Sequence, residues 1–289
     1  MSNTIELAKS FVPKLDECYR LASLTSVLDG APELAKQGAN ANELIIPRMS
    51  MDGLADYSRN GGYVQGGVTM TNETVKCNFD RGRRFDVDVM DDLETAGLAF
   101  GRLSAQFIRD KVVPELDAFR FASYCGISGV TKKEETLADG AATVTALSAA
   151  VTAMDDEEVT ATGRYLFITP TLLQRINDMD TTKSKKVLEG FERVIKVPQR
   201  RFYTAIKQLS GKTGEEAGGY TKATGAANIN FAIVQKDALI QYTKHAAPKI
   251  IAPENNPDAD AYVFGYRMVG IAKAYKNMLS GMYFSHDKA

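Results

Sequence analysis

The spacing of apolar residues changes twice along this chain, and each change predicts a different element. Between Asp91 and Ser128, Ala96, Ala99, Phe100, Leu103 and Phe107 recur at three- and four-residue intervals, and Val112, Val113, Leu116 and Phe119 continue the stripe. That period predicts one long amphipathic helix. Asp91, Asp92 and Glu94 stand at its start, where carboxylates favour the positive end of the helix dipole. The stretch would run roughly 55 Å at 1.5 Å per residue, long for a single globular domain, so it reads as a beam. Pro114 lacks an N–H and would collide with the carbonyl one turn back. A kink or break is expected there, or a second helix with Pro114 in its first position.

Before the beam the period is two. ELIIPRMSM reads as a strand that Pro47 restricts to an edge or an irregular course. DGLADYSRNGGYVQGG follows, and its five glycines predict a turn-rich tip. In VTMTNETVKCNFD, Val75, Cys77 and Phe79 alternate with polar residues, and DRGRRFDVDVMDD continues through Phe85, Val87 and Val89. Two long strands around a glycine-rich tip predict a projecting hairpin, each arm roughly 40 Å long at about 3.4 Å per residue. An isolated two-stranded ribbon is marginal in water, so this one is expected to lie on something else.

From residue 131 the pattern becomes α/β. Val144, Leu147, Val151 and Met154 share one helix face, and Tyr165 to Ile168 form a buried strand. That strand feeds a helix with Thr169 as cap and Pro170 in its first turn. GFERVIKVPQRRFY gives a further strand ending at Pro198, and QLSGKTGEEAGGYTKATGAAN an exposed glycine-rich loop. NINFAIVQKDALIQYTKH reads as a strand followed by a short element. The tail from Asp258 to His286 holds strands separated by Lys-Asn and Ser-Gly turn signals. Residues 1 to about 40 read as an arm: Leu15, Tyr19 and Ala22 could line a helix too short to stand alone. Such an arm needs a surface, its own domain or a neighbouring subunit.

Composition narrows the function. The chain has 289 residues, 44% of them hydrophobic, with 35 basic and 36 acidic residues and a formal charge of −1. A balanced charge argues against strong nucleic-acid binding through a global field. The absence of a long apolar run excludes a helical membrane span, and the first residues lack the apolar core of a signal peptide. Cys18, Cys77 and Cys125 lie far apart and read as free thiols of a reduced cytoplasmic chain.

No catalytic, cofactor-binding or metal-binding constellation can be assembled. His245 and His286 are the only histidines and show no metal spacing. SGKTG at 210 to 214 resembles the end of a phosphate loop, but Ile206 occupies the position of the required glycine. Asp155 to Glu158 read as solvated charges.

The order of parts resembles the major capsid proteins of tailed bacteriophages with the Hong Kong 97-type fold. NTIELAKSFVPKLDECYRLASLT is similar to the family's N-terminal arm. CNFDRGRRFDVDVMDD resembles the second strand of its extended loop, RDKVVPELDAFRFA its spine segment, and YRMVGIAKAYKNMLSGMYFSH its closing strands. The resemblance implies an α+β chain divided into an N-terminal arm (1–41), an extended β-hairpin loop (42–90), a spine helix of the peripheral domain (91–130), a mixed α/β axial domain (131–245) and returning strands (246–289). It implies self-assembly into pentamers and hexamers of an icosahedral shell around a double-stranded DNA genome, contacted weakly and non-specifically. Portal, scaffolding and decoration proteins are the further partners it implies, without membrane or cofactor, in a virion assembled in the bacterial cytoplasm. Within that plan Arg48, Arg59, Tyr63, Arg81, Arg83, Arg84, Arg102, Arg109 and Arg120 are candidates for contacts between subunits, and Pro114 for a bend in the spine. Some family members lock the shell with an isopeptide bond from a lysine in the extended loop. Ser50 to Gly67 contains none, so a non-covalently closed shell is expected. An encapsulin-like nanocompartment and a cytoplasmic α/β enzyme are the alternatives.

Overall fold

The computed structural model describes residues 23–30, 36–37, 43–90 and 98–288. The expected arm helix around Leu15 and Tyr19, and the acidic start of the spine at Asp91 to Glu94, lie outside these residues.

The spine begins with α1 (Leu98–Phe107), continues through a π-helical turn (Ile108–Val112) and ends in α2 (Val113–Gly126). The chain does not break at Pro114; a second helix starts one residue before it, at Val113, close to the expected alternative. The Val113 N–H reaches back five residues to the Ile108 carbonyl, and Pro114 becomes the second residue of α2. In a helix's first turn the N–H has no intrahelical partner, so proline loses nothing there. The C-terminal half is no free beam. Val113, Leu116, Phe121, Tyr124 and Cys125 are all buried, because α2 packs between two sheets.

The larger sheet has the order β5-β13-β10-β6-β7, formed by Thr131–Glu134, Met282–His286, Ile229–Gln235, Arg164–Ile168 and Arg193–Lys196. Both of its faces are covered, which explains why RYLFI and INFAIVQ read as unbroken apolar runs. Phe167, Ala232 and Phe284 face Phe121 and Tyr124 of α2. Leu166, Ile233 and Tyr283 face α3 (Gly140–Asp156) and α4 (Pro170–Asp178), with α5 (Thr182–Glu189) alongside. Asp139 caps α3 by accepting the Ala142 N–H at 2.7 Å. Thr169 holds the cap position of α4, yet its side chain makes no capping bond. Gly140 is required where α3 meets α4, since a Cβ there would lie 2.4 Å from the Arg175 carbonyl oxygen.

The second sheet is antiparallel, in the order β11-β12-β4: Leu239–Ile251, Ala261–Ala274 and Phe79–Asp88. It packs on the spine through Phe79, Phe264, Tyr266 and Met268 against Ile108, Val113 and Leu116. Two expectations are corrected. The short element after Gln235 is β11, a thirteen-residue strand. Lys244, His245 and Pro248 hide it in the sequence, and it tolerates them because it is an edge strand with a register shift between Thr243 and His245. The second arm of the predicted hairpin is two strands rather than one. Only Val68–Lys76 (β3) pairs with Glu43–Met51 (β2), whose far side carries the two-residue β1 (Lys36–Gln37). Phe79 onward crosses to the other sheet. Asn78 marks the crossing: its amide donates to the Ala272 carbonyl and accepts the Ala272 N–H, each at 2.9 Å, so a side chain continues the ladder. The ribbon is therefore nine residues to an arm, about 30 Å at 3.4 Å per residue. The expected boundary at 246 falls within β11, and β13 rejoins the larger sheet.

Candidate interaction surfaces

Among the described residues, ten large hydrophobic side chains are exposed, and eight of them lie on the ribbon and its tip: Met49, Met51, Leu54, Tyr57, Tyr63, Val64, Val68 and Met70. Register explains half of this. Met49 pairs with Met70 and Met51 with Val68, so four apolar side chains share one ribbon face. The tip is built locally. Asp52 accepts the Gly67 N–H at 2.7 Å to close its mouth, and Ser58 bridges to Gly62, which adopts a φ of 73°. This brings the Tyr57 and Tyr63 rings to 4.9 Å, with Arg59 exposed between them in sequence. Only the ribbon's root is anchored: Val75 packs with Ile271, and Glu73 pairs with Lys276 at 2.6 Å. Among the described residues, none packs over Met51, Val68 or Met70, which are 64% to 68% exposed.

The candidate arginines divide by what their guanidinium groups already hold. Arg120 is only 2% exposed and donates to Thr25, Asp29 and Thr243, so it is corrected from a surface contact to an internal one. Arg81, partly exposed, is held within the subunit: it donates to Glu115 at 2.8 Å and to the Leu209 and Gly219 carbonyls. Burial pushes the Glu115 carboxyl up, against the lowering influence of Arg81. Arg83 is exposed but donates to the Glu216 carbonyl, and Arg84 and Arg109 pair with their neighbours Asp86 and Asp110. Arg48 sits on β2 opposite Thr71 and Arg102 on α1, their side chains outside the described residues.

The glycine-rich segment is a small hairpin, with β8 (Ile206–Gln208) paired to β9 (Tyr220–Lys222), and the loop between them wraps Arg81 and Arg83. Its likeness to a phosphate loop ends at Glu215. That carboxylate accepts the Ser210 N–H at 2.7 Å and pairs with Lys207 at 2.6 Å, so the chain's own anion takes the seat. Lys207 and the Ser210 N–H hold the Glu215 carboxyl down at about 2. A depressed folded-state value contributes stability above the ordinary glutamate range that is lost as pH falls through about 2. Carboxyl carbon shifts followed by NMR should therefore show Glu215 titrating near 2, and a midpoint near 4.5 would contradict the seat.

Among the described residues, nucleophiles and candidate bases are not brought together in the open cleft below the ribbon root. That cleft, of about 920 Å³, is lined by Ser123, Ile127, Ile240, Tyr275 and Met278, and the Glu73 and Lys276 that border it are paired with each other. Burial pushes the Cys125 thiol up to about 11 and raises that of Cys77, opposite to the shift a nucleophile needs. No cluster of three metal-ligating side chains occurs among the described residues, and no helix among them is long and apolar enough to cross a membrane.

No family model matches the chain, and no curated protein does. Solved structures do. The capsid of cyanophage P-SCSP1u aligns over 87% of this chain and 85% of its own, with a TM-score of 0.56 and 12% identity. The capsid of Myoviridae phage XM1 aligns over 91% and 90%, with a TM-score of 0.56 and 9% identity. The chain has the Hong Kong 97-type capsid fold. A virus-like particle from Pyrococcus furiosus also matches, over 96% of this chain and 98% of that one, with a TM-score of 0.58 and 10% identity. The capsid fold thus extends over most of the chain while the sequences have diverged almost completely. Packing, rather than residue identity, carries the likeness.

Proposed function

We propose that the chain is a major capsid protein that assembles, as pentamers and hexamers, into an icosahedral shell around a double-stranded DNA phage genome. The observation that carries this reading is the ribbon: eight exposed apolar side chains on a projection that the described residues of its own body leave uncovered. A ribbon of that kind is completed by a second copy of the chain, and many modest engagements per subunit close a shell. Arg59 and Tyr63 at the ribbon tip, with the exposed Arg84 and Arg109 that hold only a neighbouring carboxylate, are the named candidates best placed to meet a neighbour. Portal, scaffolding and decoration proteins are the expected further partners, the virion its place, and the bacterial cytoplasm its site of assembly. The charge of −1 suits a wall that does not grip phosphates.

Negative-stain microscopy of purified protein tests the proposal: closed shells of uniform size are expected, and a monodisperse monomer or dimer would overturn it. Boiling particles in detergent should release single subunits, whereas a ladder of covalent oligomers would defeat non-covalent closure. Pro114→Ala is expected to change particle diameter or yield while leaving subunit solubility unaltered, because an N–H at position 114 would let the helix run on without the register change that now precedes it. Unchanged particles would make that turn incidental. A nanocompartment shell is the second reading, favoured by the near-complete coverage of the virus-like particle. Particles that carry a co-purifying protein and no protected DNA would select it.

A further inference from the structure

Two charged side chains of α2 are buried and serve neither the ribbon nor the arginine contacts. Asp117 is fully buried and collects donors from two separate parts of the chain, residues 23–25 and Arg201. Its Oδ1 accepts the Ser23 hydroxyl at 2.9 Å, the Thr25 hydroxyl at 2.8 Å and the Thr25 N–H at 3.3 Å. Its Oδ2 accepts the Leu24 N–H and an Arg201 guanidinium nitrogen, each at 3.2 Å. One turn along, Arg120 donates to the Thr25 hydroxyl at 2.9 Å and to Asp29 at 3.2 Å. Gln241 donates to the Thr25 carbonyl and to Asp29, accepts from the Tyr124 hydroxyl, and its own carbonyl takes the Gly30 N–H.

Residues 23–30 thus reach the body mainly through polar groups. Leu28 alone among them is a buried apolar side chain, with Leu24 and Val27 half-buried around it. Hydrogen bonds to a buried carboxylate depend steeply on geometry, and losing one partner leaves the rest uncompensated. A segment held this way can be released as a unit when its polar partners are lost, withdrawing Leu28 from the edge of the core cluster while the sheets and helices keep the rest.

We infer that Asp117 and Arg120 form a latch that fixes residues 23–30 to the body, and that the latch opens separately from the rest of the fold. Open, it frees eight residues, about 27 Å of chain at ~3.4 Å per residue. One subunit then has two states of this segment. On the capsid reading proposed above, that lets identical chains meet non-equivalent neighbours, although the latch itself belongs to the single subunit.

The test uses unassembled full-length protein. Ser23→Ala with Thr25→Val removes two hydroxyl donors from the arm side and leaves Asp117 and Arg201 in place. Hydrogen exchange at the Leu24, Thr25, Leu28 and Gly30 amides should accelerate at least tenfold, with β10 protection and the melting temperature unchanged. Asp117→Asn should open the same four amides further. Exchange unchanged in the double variant would show that the carboxylate does not hold the segment. Acceleration in β10 alongside it would show that the segment is inseparable from the core. Either result overturns the latch, and neither depends on whether shells form.

Discussion

Changing Met49, Met51, Val68 and Met70 together to threonine should abolish shell formation and leave a folded, soluble subunit. These four side chains share one ribbon face and are 53% to 68% exposed in the single chain. None belongs to the buried clusters of the body. Complete burial of a Met or Val side chain is worth about 1.5–3 kcal/mol, so covering the exposed half gives about 1 kcal/mol apiece. Four amount to about 4 kcal/mol per ribbon, close to a thousandfold in association at about 1.4 kcal/mol per decade. Every subunit repeats the loss, so the critical concentration for assembly should rise by at least that factor. Threonine suits a strand and should preserve the ribbon. Light scattering against concentration measures the first effect and thermal melting the second. Assembly at the wild-type concentration would remove the ribbon from the interface.

The opposite outcome is expected for Phe121→Ala, which should cripple the subunit before assembly begins. Phe121 is fully buried on α2, its ring 5.1 Å from that of Phe167 on β6 and 4.8 Å from that of Phe202. Truncating such a residue costs about 3–5 kcal/mol, transfer and cavity together. Against a total stability of about 5–15 kcal/mol this is a large fraction. The melting temperature should fall by roughly 10 °C at about 2–4 °C per kcal/mol. Arg109→Ala, at an exposed pair with Asp110, is the control and should change stability by less than about 0.5 kcal/mol. A Phe121→Ala subunit as stable as wild type would mean that the spine is a peripheral beam after all.

Helix and strand signals in this chain were legible where a single face decides them. The stripe through Val113, Leu116 and Phe119, the runs RYLFI and INFAIVQ, and the ribbon tip each rest on local period or on glycine chemistry. Misreadings fell where partners decide. LIQYTKHAAPKII looks broken because its lysines, histidine and proline matter only to a strand paired on both sides, and β11 is paired on one. Phe79 to Val87 continue the alternation of the ribbon without a gap, and only Asn78, bonded to Ala272, shows where the chain changes sheets. Arg120 resembles Arg109 in sequence. Burial separates them, since one faces Thr25 and Asp29 and the other solvent.

The sequence by itself determined that this chain has a glycine-tipped ribbon, a long apolar-striped helix and an α/β body in that order, because those follow from residue period and turn residues acting over a few positions. Only the tertiary structure decided that the spine is also the wall between two cores, that Pro114 rides through on a π turn, and that Asp117 gathers donors from residues about ninety positions away. Those outcomes depend on which surfaces meet, and contacts between distant segments leave no period in the chain. The ribbon belongs to both: its alternation was visible at once, while the bareness of its apolar face became visible only when the rest of the body was seen not to cover it.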